Sequence, residues 1–159
     1  MALTLEGAQF VRQKTRMWTR NPLVFKTLQA FFAYHAQFKS NADLQLVYLD
    51  DVDVTGTNGV IVADAACTLY FAFLQKRATA TDSYFKLFDN ATVDTTAGDE
   101  RVTLATLEAS EPVFAVFPSG LTMANGIVAT SHTTGDGTTD STAGDSGDGF
   151  IILGADGTN

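Results

Sequence analysis

Several features that mark other protein classes are scarce in this chain of 159 residues. It has one cysteine, Cys67, so an intrachain disulfide cannot form and a small secreted scaffold held by disulfides is excluded. Cys67 lies in an apolar run, where a buried structural thiol is expected rather than a nucleophile. No run of about 18 apolar residues occurs, so no membrane span is expected. The first residues lack a basic stretch followed by an apolar one, and we expect no secretion signal.

The residues that carry catalysis and metal binding are also few. The two histidines, His35 and His132, lie far apart in the sequence and do not make a zinc site with a lone cysteine. Ser119, in the segment "FPSGL", lacks the G-x-S-x-G nucleophile elbow, and turn chemistry explains Pro-Ser-Gly fully. We therefore expect no catalytic residue, no metal and no cofactor, and we interpret the chain as a protein that is not an enzyme.

What the chain does have is a composition suited to strands. Phenylalanine occurs twelve times, and valine, threonine and tyrosine are frequent. From about residue 44 onward, seven or eight short segments with strand patterns are separated by polar turns, and no helix-length pattern lies between them. This predicts a mainly β protein, an antiparallel β-sandwich, jelly roll or short barrel. The predicted strands are "LQLVYLDDVDV", "VIVADAACTLYFAFL" with a break near Asp64, "SYFKLFD", "RVTLATLE", "PVFAVF", "LTMANGIVATS" and "GFIILGA".

The first 40 residues differ from the rest in charge and in periodicity. They carry a net charge of +5, and the remaining residues carry −13, which gives −8 overall. Apolar residues recur at spacings of three and four after Asn21 and Pro22, which suit a helix start, so a helix is predicted over 22–39. A less regular helix is predicted over 4–19. We divide the chain into a basic helical arm, residues 1–40, and a β-sandwich domain, residues 41–159.

The basic arm has three interpretations, and docking on an acidic protein surface is favoured. Arg12, Arg16 and Arg20 lie four residues apart, on one face of a helix, and Lys14 adds a further positive charge. Such a face is often simply solvated. It could also contact nucleic acid, since basic side chains release counterions from phosphates. However, the acidic body would repel the same polymer, and no nucleic-acid-binding motif is visible.

The segment "TTGDGTTDSTAGDSGDG", residues 133–149, contains four aspartates. An EF-hand counted from Asp136 fails, because Ser141 stands where glycine is required and Gly147 where glutamate is required. A phosphate-binding loop fails for lack of a lysine. Glycine, aspartate and serine are typical turn residues, so we interpret the segment as a long exposed hairpin loop. A weak cation site and a partner-facing tip remain the alternatives.

The C-terminal half contains the segment "YFKLFDNATVD", then "GLTMANGI", then the threonine- and aspartate-rich segment before "GFIILGA", and in these it resembles small structural proteins of tailed-bacteriophage virions. Those chains have a Y-x-K-L-[YF]-[DN] strand, a "GL-x4-GI" element and a loop rich in threonine and aspartate before the final strand. The resemblance covers less than half of the chain and contains no catalytic signature. The matching residues here are Tyr84, Lys86, Leu87, Phe88, Asp89, Gly120, Leu121, Gly126 and Ile127.

The resemblance implies a β-sandwich on a virion, and a capsid cement or decoration protein fits best. Such proteins commonly sit as trimers over junctions between capsid subunits and stabilise the shell. The expected partner is then the major capsid protein or another virion protein, and the expected location is the capsid surface, after synthesis in the host cytoplasm. Contact would be made by the basic arm and by apolar anchors. The expected partner-binding residues are Arg12, Lys14, Arg16, Trp18, Arg20, Phe31 and Phe38.

Two other functions stay open. One is a different virion part, such as a tail, adaptor or fibre-attachment protein. The other is a carbohydrate- or receptor-binding sandwich, which an exposed aromatic platform with nearby polar groups would favour. Trp18 is the only tryptophan and lies in the arm, which weakens that function.

Overall fold

The structure is a computed structural model that describes residues 22–38, 43–52, 59–76, 83–92, 99–106, 112–132 and 147–155. Within these residues one helix precedes eight strands, which agrees with the seven or eight strands predicted. The elements are α1 (Pro22–His35), β1 (Leu44–Val52), β2 (Val60–Ala63), β3 (Cys67–Lys76), β4 (Ser83–Phe88), β5 (Glu100–Thr106), β6 (Pro112–Met123), β7 (Ile127–His132) and β8 (Gly147–Ala155).

The strands form two four-stranded sheets. Sheet A has the order β1-β8-β3-β6 and sheet B the order β2-β7-β4-β5. The strand pairs within both sheets are antiparallel. The fold is therefore a mainly β antiparallel sandwich, as the sequence predicted. The helix predicted over 4–19 lies outside the described residues, so α1 is the part of the arm that the structure describes.

Helix α1 begins at Pro22 as predicted and ends at His35, four residues before the predicted end. The chain continues through a turn to Phe38. In this turn the amides of Gln37 and Phe38 donate to carbonyls three residues earlier, those of Tyr34 and His35. The change from a four-residue to a three-residue hydrogen-bond spacing tightens the last turn and ends the α-helix.

The two sheets enclose an apolar core. In β4, Phe85 and Leu87 point into this core, while Lys86 and Phe88 lie on the opposite face of sheet B. This alternation follows from the two-residue period of a strand and confirms the faces predicted for "SYFKLFD". The other buried members of the core are Leu49, Cys67, Leu69, Ala72, Leu74, Val102, Met123, Ile127, Ala129, Ile151 and Leu153.

The other face of sheet A is also buried, and α1 packs on it. Phe71 stacks on Phe114 and Phe150, with ring centroids 5.8 and 5.7 Å apart. Leu28, Phe31 and Phe32 of α1 belong to the same cluster. The broad apolar face of this helix required a cover, and the cover is the chain's own sheet. Sheet A is therefore the middle layer between α1 and sheet B, which explains why "FIIL" in β8 is apolar on both faces.

Strand β6 corrects one prediction. "PSG" was expected to be a turn between two strands, but β6 continues through it to Met123. The register against β3 moves from Leu69–Leu121 to Phe71–Val116, so several residues of β6 are extruded as a wide bulge. Gly120 has φ = 84°, and this left-handed conformation lets the extruded segment rejoin the strand. The turn residues are thus used within a strand.

Two further connections differ from the prediction. "LTMANGIVATS" is two strands, because the chain turns at Ala124–Gly126 and crosses from sheet A to sheet B. The segment after His132 is not a hairpin loop, since β7 pairs with β2 and β4 whereas β8 pairs with β1 and β3. In sheet A, β8 lies between β1 and β3, where the core covers one face and α1 packs on the other.

Candidate functional site

Most of the predicted partner-binding residues cannot be placed. Arg12, Lys14, Arg16, Trp18 and Arg20 lie outside the described residues. Phe31 is 3% exposed and packs against Phe32 and Tyr70 at centroid distances of 5.4 and 5.9 Å. Phe38 is 69% exposed. Of these two phenylalanines, Phe38 is therefore the one that offers surface to another molecule, and its role in binding stays a prediction.

An exposed apolar stripe runs along α1 and onto the turn that follows it. We define this stripe as Leu23, Tyr34 and Phe38, which are 62%, 42% and 69% exposed. Leu23 and Tyr34 belong to α1, and Phe38 lies in the turn after His35. The rings of Tyr34 and Phe38 contact each other with centroids 5.0 Å apart and planes inclined by 53°. Because Leu28, Phe31 and Phe32 anchor the same helix on sheet A, the stripe is held in a fixed position.

A pocket lies where the end of α1 meets the bulge of β6. Its volume is about 250 Å³, and the described residues that line it are Tyr34, His35, Phe38, Tyr70, Pro118 and Ser119. We call it the aromatic pocket.

Two irregularities of the strands build the aromatic pocket. Tyr70 is an extra residue of β3 relative to β8, since Leu69 pairs with Leu153 and Phe71 already with Ile152. This bulge puts Tyr70 on the same face as Phe71, towards α1. There the ring of Tyr70 lies edge-on to His35, with centroids 5.0 Å apart and planes at 78°. Sequence reasoning missed the pocket because it read "PSG" as an ordinary turn, and only the bulge brings Ser119 beside the helix.

A second group of polar residues is buried on the face of sheet B that points away from sheet A. Lys86 and Glu100 form an ion pair, with Nζ and Oε2 3.2 Å apart. Thr130 is the register partner of Lys86. His132 lies two residues further along β7, opposite Tyr84. Lys86, Thr130 and His132 are each at most 1% exposed. Burial, together with the positive charge of Lys86, lowers the pKa of His132, and Glu100 opposes this shift in part.

The end of the sandwich is held by Asp89, one of the residues that carry the phage resemblance. Its carboxylate accepts hydrogen bonds from the amides of Ala124 and Asn125 at 3.0 and 2.7 Å. Gly126 completes this turn with φ = 143°, and a Cβ there would lie 2.4 Å from the carbonyl oxygen of Ala63. Asp89 and Gly126 therefore shape the crossing between the sheets.

The remaining candidates from the sequence are Cys67 and the segment 133–149. Cys67 is 4% exposed, and burial, aided by the charge of Asp89, raises its pKa to about 11. The thiol is thus buried, as predicted. Of the segment 133–149 only residues 147–149 are described, so its cation-binding alternative lies outside the described residues. Across all the residues that the structure describes, no group of three or more His, Cys, Asp or Glu side chains could hold a metal ion.

The described part of the chain also contains no helix of the length and hydropathy needed to cross a membrane.

Comparisons with known proteins do not assign a family. No protein-family model and no curated protein matches the chain. Among solved structures, it is similar to a chain in the structure of infectious bursal disease virus, Gx strain, with 11% identity and a TM-score of 0.30. The match covers 73% of this chain and 34% of the viral one, so this chain spans about a third of the matched chain. The similarity is thus to part of a viral structure, and at this TM-score it carries no argument about function.

Proposed function

We propose that this protein is a structural component of a virion and acts as a capsid cement or decoration protein. The observation that carries the proposal is the exposed apolar stripe on α1. Large apolar side chains that lie exposed along a helix and the turn after it suit contact with another protein. The resemblance of the C-terminal half to phage virion proteins supplies the kind of assembly to which that surface belongs.

The proposed action is mechanical and involves no catalysis. The sandwich supplies a stiff body, because sheet A is packed on both faces. Tyr34 and Phe38 act as aromatic anchors that enter a recess on the major capsid protein or another virion protein. The basic arm, residues 1–40, docks on an acidic surface of that partner. Nucleic acid is not a partner in this proposal, since the body is strongly acidic.

A homotrimer would strengthen attachment without new contacts. Three copies held together bind a lattice of capsid subunits with a high effective concentration after the first contact. The trimer would sit at the outer surface of the shell and bridge neighbouring subunits. Sedimentation velocity of the purified full chain at micromolar concentration is expected to show this trimer, and a monomer at that concentration would contradict the homotrimer.

The function is tested on particles purified from cells that produce the chain. Cryo-electron microscopy is expected to show density for the sandwich on the outside of the shell. Density on the tail would instead support the tail, adaptor or fibre-attachment function. Particles from which this protein is missing throughout would overturn the proposed role in a virion.

A reconstitution assay then tests the stripe. Shells stripped of this protein are expected to release their contents at a lower temperature, and added wild-type protein is expected to restore the original temperature. Phe38→Ser should fail to restore it, because the anchor is lost. The matched control is Ile61→Ser, since Ile61 of β2 is 48% exposed and lies outside the stripe. Equal restoration by both variants would show that the stripe is not the docking surface.

A further inference from the structure

Apart from Tyr34 and Phe38, which also belong to the stripe, the aromatic pocket is lined by four described residues that the proposed virion role does not use. Tyr70 and His35 are each 4% exposed, although both line a cavity that opens to the surface. The wall formed by Pro118 and Ser119 is followed by Gly120, which packs closely on sheet A, since an added Cβ would lie 2.4 Å from Cγ2 of Thr68. The cavity therefore has a wall from the bulge of β6 and an aromatic floor.

The lining residues define the charge of a fitting ligand. Those that the structure describes include no carboxylate, ammonium or guanidinium group. An ionic ligand would lose hydration there without gaining a counter-charge from these residues. Among them, Tyr34 and Ser119 are exposed residues that carry hydroxyls. A hydroxyl can both donate and accept a hydrogen bond, so these groups suit an uncharged ligand that carries hydroxyls of its own.

The ring geometry and the volume define its shape. The planes of Tyr34 and Phe38 are inclined by 53° and those of His35 and Tyr70 by 78°, so neither pair forms a parallel slot for a flat aromatic ligand. A puckered ring with one C–H face can instead lie against one aromatic face and place its hydroxyls towards the polar groups. The volume of 250 Å³ lies below the range of roughly 300–1,000 Å³ for drug-sized ligands, which indicates a single ring.

We propose that the aromatic pocket binds one neutral sugar residue of a glycan. The site shares Tyr34 and Phe38 with the stripe, but glycoside binding is measured without a shell, so its failure is distinguishable from failure of the proposed virion role. Because one ring makes few contacts, we expect a dissociation constant of about 1 mM for a free glycoside. Tighter attachment to a glycan-coated surface would follow from several copies acting together.

The test uses the full-length protein and methyl glycosides of glucose, galactose, mannose and N-acetylglucosamine. Saturation-transfer NMR is expected to detect binding of at least one of them. Tyr34→Ala and Phe38→Ala should each weaken that binding by roughly 3- to 10-fold, the usual worth of one aromatic contact. Both side chains are exposed, so both variants should keep the wild-type melting temperature. Leu23→Ala, on the same helix but outside the pocket, is the matched control and should bind as wild type.

Three results would overturn the proposal. The first is a lack of saturation transfer to all four glycosides. The second is glycoside binding that Tyr34→Ala and Phe38→Ala leave unchanged, which would locate the sugar elsewhere. The third is binding of an uncharged polyproline peptide, lost in the same two variants, without binding of any glycoside. That result would assign the pocket to proline rings of a protein partner.

Discussion

Removal of Lys86 tests how sheet B holds a buried charge. The side chain of Lys86 is 1% exposed, and that of its partner Glu100 is 16% exposed. Lys86→Met keeps an unbranched apolar stem and deletes the ammonium group, so Glu100 loses its cation. Breaking a buried pair in this way typically costs about 3–5 kcal/mol. Since Glu100 keeps some contact with water, we expect about 3 kcal/mol, or a melting temperature lower by roughly 6–12 °C.

The double-mutant cycle separates pairing from burial. Glu100→Leu leaves Lys86, the more deeply buried side chain of the pair, without its anion. We therefore expect the free energy of unfolding to fall by about 5 kcal/mol, the upper end of the range for breaking a buried pair. Lys86→Met combined with Glu100→Leu leaves no charge unpaired and should lie within about 1 kcal/mol of the wild type. Glu100 also accepts a hydrogen bond from the hydroxyl of Thr103. Thr103→Val removes that bond alone and serves as the control, with an expected loss of about 1 kcal/mol.

Urea unfolding followed by circular dichroism and by fluorescence gives the free energies of unfolding. Coincidence of the two transitions checks that unfolding is two-state, and equal slopes against urea check that the variants unfold to similar states. If each single substitution costs less than 1 kcal/mol, or if the two costs simply add in the double variant, Lys86 and Glu100 are not coupled and the reasoning is refuted.

The remaining predictions concern the turn, the thiol and the histidine. Gly126→Ala should lower the free energy of unfolding by at least about 2 kcal/mol, because its Cβ would collide with backbone; a melting temperature equal to that of the wild type would contradict this. Asp89→Ala should lower the free energy of unfolding by about 2–3 kcal/mol through two lost hydrogen bonds, and Asp89→Asn should lower it less, since one acceptor remains. Equal losses in the two variants would show that these hydrogen bonds do not hold the turn at Ala124 and Asn125. With a pKa of about 11, Cys67 should react with Ellman's reagent at pH 8 only in urea, and rapid reaction of the folded chain would show that it is accessible. Since folding lowers the pKa of His132, the unfolded state binds more protons, so stability should fall as the pH drops from about 6.5 through that lowered pKa. His132→Gln should flatten the dependence measured by urea unfolding at several pH values, and an unchanged dependence would exclude His132 as its source.

The strand pattern of this protein was predictable because alternation depends on local chemistry. The faces of β4 follow from the order of apolar and polar residues around Lys86, and the break near Asp64 separates β2 from β3 as predicted. The two sheets to which β7 and β8 belong were not predictable. Strand pairing depends on contacts between distant segments, and a glycine- and aspartate-rich connection fits a hairpin as well as a crossing between sheets.

The aromatic pocket illustrates a different limit. Tyr34, His35 and Phe38 could be placed near the end of a helix from their spacing, and Ser119 was noticed as a turn residue. Their meeting depends on two bulges, at Tyr70 in β3 and near Gly120 in β6. A bulge changes the face of every later residue in its strand, and a local pattern does not reveal which strand will oppose it. The function of the arm residues, such as Trp18, stays a prediction.

The position of β8 has a consequence for biosynthesis. This strand is the furthest along the chain of those described, yet it lies in the interior of sheet A, where Leu44 of β1 pairs with Gly154. The ribosome must therefore release nearly the whole segment from β1 onward before β1 and β3 gain their shared neighbour. Until then both strands present an unpaired edge, and β3 also exposes Phe71 and Phe73 on the face that contacts Phe150 of β8. Contacts so distant in sequence form slowly, so a nascent chain stalled before residue 147 should be a preferred client of chaperones that bind exposed strands.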